Sequence, residues 1–192
     1  MNACVLLAFV LAGSVMKDAK HPHVLIETKL GNIEVELDAA HAPNTTANFL
    51  KYVDAGHYTN GRFHRTVTMQ NQPDKKVKIE VIQGGVSEKF SDKDLPPIKL
   101  ERTNKTHIRH KDGTISMARD GADTATSDFF ICINDQPSLD FGGKRNPDGQ
   151  GFAAFGHVVK GMDIVRKIQT SPSDKDQHLT PPIEIIDIKR LP

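Results

Sequence analysis

With 192 residues and a formal net charge of +1, the chain has the length of one domain with a well-buried core, and acidic and basic residues too evenly mixed for a nucleic-acid or anionic-membrane surface. Charged residues make up 26% of it, an ordinary figure that argues against disorder. Only Cys4 and Cys132 could form a disulfide, and none is available once the first residues are removed.

Those first residues differ from the rest. Val5 to Val15 is apolar and small, with Ala12-Gly13-Ser14 near its end and charge returning at Lys17. The run is too short to span a bilayer and suits the apolar part of a secretory signal, although Met1-Asn2-Ala3 lacks the usual basic residue. The expectation is a signal peptide over residues 1–20 and one domain over 21–192. The mature chain would then be periplasmic or secreted, without membrane insertion, with a cytoplasmic chain as the alternative.

Val24 to Thr28 and Ile33 to Leu37 read as strands, the second strictly alternating, joined by a turn at Lys29-Leu30-Gly31-Asn32. Pro43 opens a helix that Asn44 or Thr45 can cap; Ala47, Phe49, Leu50 and Val53 form its apolar stripe and Gly56 stops it. Phe63-His64-Arg65 lies in a β-prone run, and Val81-Ile82-Gln83 in another closed by Gly84-Gly85. The polar stretch from Met69 to Lys78 between them reads as a hairpin loop. Arg65 among strand apolars is either a snorkelling surface residue or a guanidinium with a task, and this stretch alone does not choose.

Val86 to Pro97 reads as a surface loop, Ile98-Lys99-Leu100 as a short strand, and Gly113 to Ala118 as another strand. The loop from Arg119 to Ser127 leads into Phe129-Phe130-Ile131-Cys132-Ile133, the most apolar strand. A Gly-rich loop from Phe141 to Gly151 precedes a strand at Phe152 to Val159. Gly161 to Ile168 is an amphipathic helix with Met162, Val165 and Ile168 on one side, and Ile183 to Ile188 is the last strand. Many strands, two helices and dense turns imply a mainly β domain, a closed barrel with no raw edge.

No nucleophile elbow, phosphate loop or H-E-x-x-H occurs. Among the nine histidines, His107-x-x-His110 sits in loop-like sequence without partners to complete a metal site, so solvated histidines are expected there and at His21 and His23. His64 reads equally as a hydrogen-bonded structural residue or a working one. No metal and no cofactor is expected.

Phe63-His64-Arg65, Ile82-Gln83-Gly84-Gly85, Ser116-Met117-Ala118, Ser127-Asp128-Phe129-Phe130-Ile131 and Phe155-Gly156 with Val158 to Met162 follow one another in an order that resembles the cyclophilins. From about Val24 to Leu191 the chain is similar to a bacterial cyclophilin-type peptidyl-prolyl isomerase. The resemblance implies a closed eight-stranded antiparallel β-barrel capped by two α-helices, a groove on its outside, and proline-containing polypeptides as substrates of a monomeric folding helper. It implies Arg65 as the catalytic guanidinium and Phe130 as the main wall of the proline pocket, beside Val81 and Leu139. Gln83 would hold the substrate backbone with main-chain groups at Ala118 and Arg119, and Phe63, His64, Asp128 and Phe152 complete the implied binding set. Read without the resemblance, Phe130 is core packing.

The residue types suit that chemistry. Rotation about an X-Pro bond breaks no covalent bond, and a fixed, permanently charged donor aimed at the prolyl nitrogen favours the twisted state. Set against the family pattern, the segment between Arg65 and Gln83 is long and Glu80 falls where a pocket Phe is expected, leaving Met69 or Ile79 to substitute. Asp128 replaces the usual Gln, Ser138 stands where Trp or Phe is common, and Phe152 where many eukaryotic members carry His. Weak binding of cyclosporin-type inhibitors follows, as does a preference for basic or neutral peptides from Glu80 and Asp128 beside the groove. A peptide-binding module with little catalysis is the alternative reading, and a His-rich metal carrier a weaker third.

Overall fold

The computed structural model describes residues 20–192. The apolar run from Val5 to Val15 and Cys4, on which the export reading rests, lie outside the described residues. Strands β1 (His23–Thr28) and β2 (Gly31–Leu37) form the first hairpin. Val24, Ile26, Ile33, Val35 and Leu37 are fully buried along one face, as a period of two requires. The Thr28 hydroxyl holds the turn, donating to the Gly31 carbonyl at 2.7 Å and accepting from the Leu30 N–H at 3.1 Å.

Helix α1 (Pro43–Asp54) buries Phe49, Leu50 and Val53 as their spacing predicts, whereas Ala47 faces solvent and Tyr52 is buried instead. Its N-terminus corrects the capping expectation. Ala42 is the cap residue and gives no side-chain bond, while Pro43 occupies the first turn, where a missing N–H costs nothing. The carboxylate of Glu101 accepts instead from the N–H groups of Asn44 at 3.1 Å and Thr45 at 2.7 Å. A distant acid can serve the positive end of a helix as well as a local hydroxyl, and only folding brings it there.

Strands β3 (Gly61–Val67), β4 (Val81–Gly85), β5 (Thr114–Met117), β6 (Phe129–Cys132), β7 (Ala153–Lys160) and β8 (His178–Arg190) complete the sheet. It closes in the order β1-β2-β7-β5-β6-β4-β3-β8 with every pairing antiparallel. The stretch Ile98 to Leu100 is no strand; it makes one isolated bridge, Ile98 to Ala125. Besides α1 and α3 (Met162–Gln169) there is a four-residue helix α2 (Thr103–Thr106), a single turn too short for periodicity to reveal. α1 packs on β7 and β8, and α3 on β2, β3 and β4.

Two apolar clusters result, one on each side of the sheet around β4 and β6. Phe129, Ile131 and Ile82 join the barrel interior with Phe49, Phe63 and Phe155. Phe130, Cys132 and Val81 turn the other way and pack with Val67, Ile79 and Leu139. The outer cluster builds the wall of a cavity.

Candidate active site

That cavity, of about 360 Å³, lies where β3, β4 and β6 meet the loops after β5 and β6. Arg65, Val81 and Gln83 line it from β3 and β4, and Asp128, Phe130 and Leu139 from β6 and the segments flanking it. Ala118, Arg119 and Phe152 close the rim. Nine of the residues expected from sequence therefore converge here, and two do not.

Phe63 is the clearest departure, being fully buried inside the barrel. Simple alternation puts Phe63 and Arg65 on one face. The register shows why they part: Phe63 pairs with Gly84 but Arg65 with Gln83, so two steps along β3 match one along β4. This bulge at His64 turns Phe63 inward and Arg65 outward. His64 lines no part of the cavity either; its Nε2 lies 3.4 Å from the Asp128 carboxylate. Burial pulls the His64 pKa down, against the upward pull of the Asp128 charge.

Arg65 is held from two sides. Its Nε and Nη2 donate to Gln177 Oε1 at 3.1 and 2.6 Å, and its Nη1 donates to Gln83 Oε1 at 3.1 Å. Both acceptors are neutral, so the guanidinium is aimed without being neutralised. Burial, and then the charge of Arg145, lower its pKa from the ordinary guanidinium value. Gln177 precedes β8 at a positive φ of 74° and spends its amide N–H on the Asn71 carbonyl at 3.0 Å. Sequence reasoning missed Gln177 because it lies in a polar loop 112 residues from Arg65 with no pattern to mark it.

The apolar wall is well ordered. Phe130 is only 4% exposed and meets Phe152 edge to face, with ring centroids 5.4 Å apart. Arg119 is tied down by bonds to Asp148 at 2.8 and 3.0 Å and to the Gly151 carbonyl, and its guanidinium stacks 5.1 Å above the Phe152 ring. Behind Phe130 sits His110, buried rather than solvated as expected. Its Nδ1 lies 2.8 Å from Asp140, its Nε2 lies 3.0 Å from the Ser116 hydroxyl, and its ring parallels that of Phe130. His23 is likewise engaged, with Glu34 at 3.0 Å and Glu36 at 3.3 Å.

Glu80 does not face the cavity. Its carboxylate accepts from Asn134 at 2.9 Å and Gln169 at 3.3 Å, while Ile79 lines the wall and Met69 is exposed. The loop between β3 and β4 is folded about Gln72, whose amide donates to the Thr68 and Ile79 carbonyls at 2.6 and 2.7 Å. Arg145, from the Gly-rich loop, pins it by donating to Gln72 Oε1 and the Val77 carbonyl. The peptide-charge expectation thus loses Glu80; Asp94 and Asp120 join Asp128 along the cavity, and Arg65, Arg119 and Arg145 line it too.

Residues 23–190 match the family model of cyclophilin type peptidyl-prolyl cis-trans isomerases. The chain belongs to that family. The cyclophilin is 42% identical over 148 residues to peptidyl-prolyl cis-trans isomerase A of Dickeya dadantii, covering 76% of this chain and 70% of that one. It is 36% identical over 149 residues to peptidyl-prolyl cis-trans isomerase B of Escherichia coli, covering 76% and 83%. In fold it resembles a Cryptosporidium parvum cyclophilin with a TM-score of 0.72 at 24% identity, over 90% of this chain and 98% of that one. This cyclophilin is a peptidyl-prolyl cis-trans isomerase acting on proline-containing peptides.

Proposed function

We propose that Arg65 is the residue that catalyses the rotation, with the proline ring seated against Phe130, Val81, Leu139 and Ile79. Amide resonance opposes rotation by roughly 18–20 kcal/mol, and unaided X-Pro isomerisation takes about tens to hundreds of seconds. As the bond twists, resonance is lost and the prolyl nitrogen gains a localised lone pair that accepts a hydrogen bond. A guanidinium has five N–H groups and Arg65 uses three on the two glutamines, so two are left for substrate. The glutamines hold its orientation in advance, so little reorganisation accompanies the twist. Gln83 and the main chain at Ala118 and Arg119 hold the flanking peptide.

The observation that carries this reading is a fixed, un-neutralised donor beside an apolar wall in one cavity. The related Cryptosporidium protein was also solved in the presence of the dipeptide Ala-Pro, which makes that dipeptide a suitable probe here. Isomerisation of an X-Pro peptide, followed by isomer-specific proteolysis, tests the assignment with Arg65→Ala. A charged hydrogen bond made only in the twisted state is worth about 1.5–3 kcal/mol, so kcat/KM should fall by about 10- to 150-fold. A wild type no faster than the variant would refute the assignment.

Export to the periplasm or medium is part of the same proposal, supported by the apolar run at Val5 to Val15. A monomer without nucleic-acid partners fits a closed barrel with no free edge and a net charge of +1. Cell fractionation and light scattering test these two points.

A further inference from the structure

We propose that Asp128 is a positioning residue for the isomerisation, acting through Gln83 on Arg65, and that the enzyme loses rate on acidification because of it. The inference rests on Arg65 being the catalytic donor.

A glutamine amide is nearly symmetric in shape, so its two orientations must be told apart by its partners. Gln83 Nε2 donates to Asp128 Oδ2 at 3.0 Å, and Gln83 Oε1 accepts from Arg65 Nη1 at 3.1 Å. An ionised carboxylate only accepts and a guanidinium only donates. Turning the amide over would set its carbonyl against the carboxylate and its NH2 against the guanidinium, two repulsive contacts in place of two bonds. Ionised Asp128 therefore allows one orientation of Gln83, and that orientation gives Arg65 its acceptor.

The backbone makes room for this carboxylate. A Cβ on Gly85 would lie 2.0 Å from Asp128 Oδ1, so the glycine is what lets Asp128 sit against β4. A protonated Asp128 can donate, and its proton then competes for Gln83 Oε1. Arg65 alone then orients the amide, the turned fraction of Gln83 rises, and in that fraction the guanidinium loses the bond that aims it.

The charged groups around Asp128 set when this happens. His64 approaches from β3 at 3.4 Å, and Asp94 and Asp120 line the same cavity. Arg62 and Arg65 bear on His64 rather than directly on Asp128, and the buried phenol of Tyr58 packs close by. Burial raises the Asp128 pKa, the His64 charge and the Gln83 bond lower it, Asp94 raises it further, and the net direction is up. Protonation therefore begins at a higher pH than it would for a fully solvated aspartate.

The test follows cis–trans exchange of an X-Pro peptide by NMR, without a protease, from about pH 8 to about pH 4.5 in wild type, Asp128→Asn and His64→Asn. In wild type, kcat should fall on acidification with KM little changed. Asp128→Asn should be about fivefold slower than wild type at neutral pH and flat with pH, because its amide can pair with either face of Gln83 and leaves the orientation to Arg65 alone. His64→Asn should keep the acidic fall, which assigns it to Asp128. The Gln83 side-chain amide resonances should titrate with the rate in the wild-type protein, a reading that needs no variant to fold. An Asp128→Asn enzyme with wild-type rate, an acidic fall that survives in it, or a Gln83 amide indifferent to pH would overturn the inference. If Arg65→Ala is inactive while Asp128→Asn is normal, only this inference fails; if Arg65→Ala is fully active, the catalytic assignment fails first.

Discussion

Replacing Arg145, which itself lines the cavity, with Met tests whether its guanidinium holds the long β3–β4 loop in place there. Arg145 Nη1 donates to Gln72 Oε1 at 2.9 Å and to the Val77 carbonyl at 2.8 Å, and makes no ion pair among the described residues. Gln72 Oε1 also accepts from the Ile79 N–H at 3.3 Å, so the tie leads straight to a residue of the cavity's apolar wall. Two charged hydrogen bonds would be worth several kcal/mol in isolation. Arg145 is half-buried, however, and its own burial lowers its pKa, so the desolvation of the native cation offsets much of that. A net cost of about 1–2 kcal/mol remains, which falls on local opening of the loop rather than on the barrel. Hydrogen exchange at the Ile79 amide should accelerate by about 5- to 30-fold, since 1.4 kcal/mol is a factor of ten. KM for an X-Pro peptide should rise by about severalfold, with a larger effect on KM than on kcat, because Arg65, the proposed catalytic residue, keeps both its glutamine partners and loses only the neighbouring charge of Arg145. Unchanged Ile79 exchange together with unchanged KM would refute the reasoning.

Two further outcomes follow from burial. Cys132 is fully buried, and burial, with the nearby charges of Asp140, Asp112 and Asp135, pushes its thiol well above the usual range. It should resist a thiol reagent at about pH 8 in the native protein and react at once in denaturant, as a thiol that must ionise to react would. Burial by itself would raise the Asp140 pKa, but hydrogen bonds from the His110 ring and backbone outweigh it and hold the carboxyl below its usual value. A lowered folded-state pKa gives stability that is present above the unfolded value of about 3.9 and is lost as pH falls through the folded one. Urea midpoints should therefore decline below about pH 4.5, and the decline should be smaller in Asp140→Asn.

Much of the site was legible because local chemistry is stated in local sequence. Phe130 and Phe129 alternate on one strand, and a β-strand sends neighbours to opposite faces whatever surrounds it. Arg65 and Gln83 face each other across an antiparallel pair whose strand lengths and turn residues were readable. Where sequence reasoning failed, a tertiary event intervened. The bulge at His64 reversed Phe63, because one extra residue in a ladder inverts the facing of everything beyond it. Glu80 found Asn134 and Gln169, and Ile79 took the apolar position.

The sequence by itself determined the strand alternation and the barrel class, and it offered Arg65 and Gln83 as the polar pair that the cavity brings together, since periodicity and residue type act within a few residues. Tertiary structure decided what holds them. Gln177 reaches Arg65 from 112 residues away, Glu101 caps a helix that begins 58 positions earlier, and Asp128 meets Gln83 across 45 residues. Such bonds depend on chain segments that only barrel closure brings together, and a hydrogen bond acts over about 3 Å of space irrespective of separation along the chain.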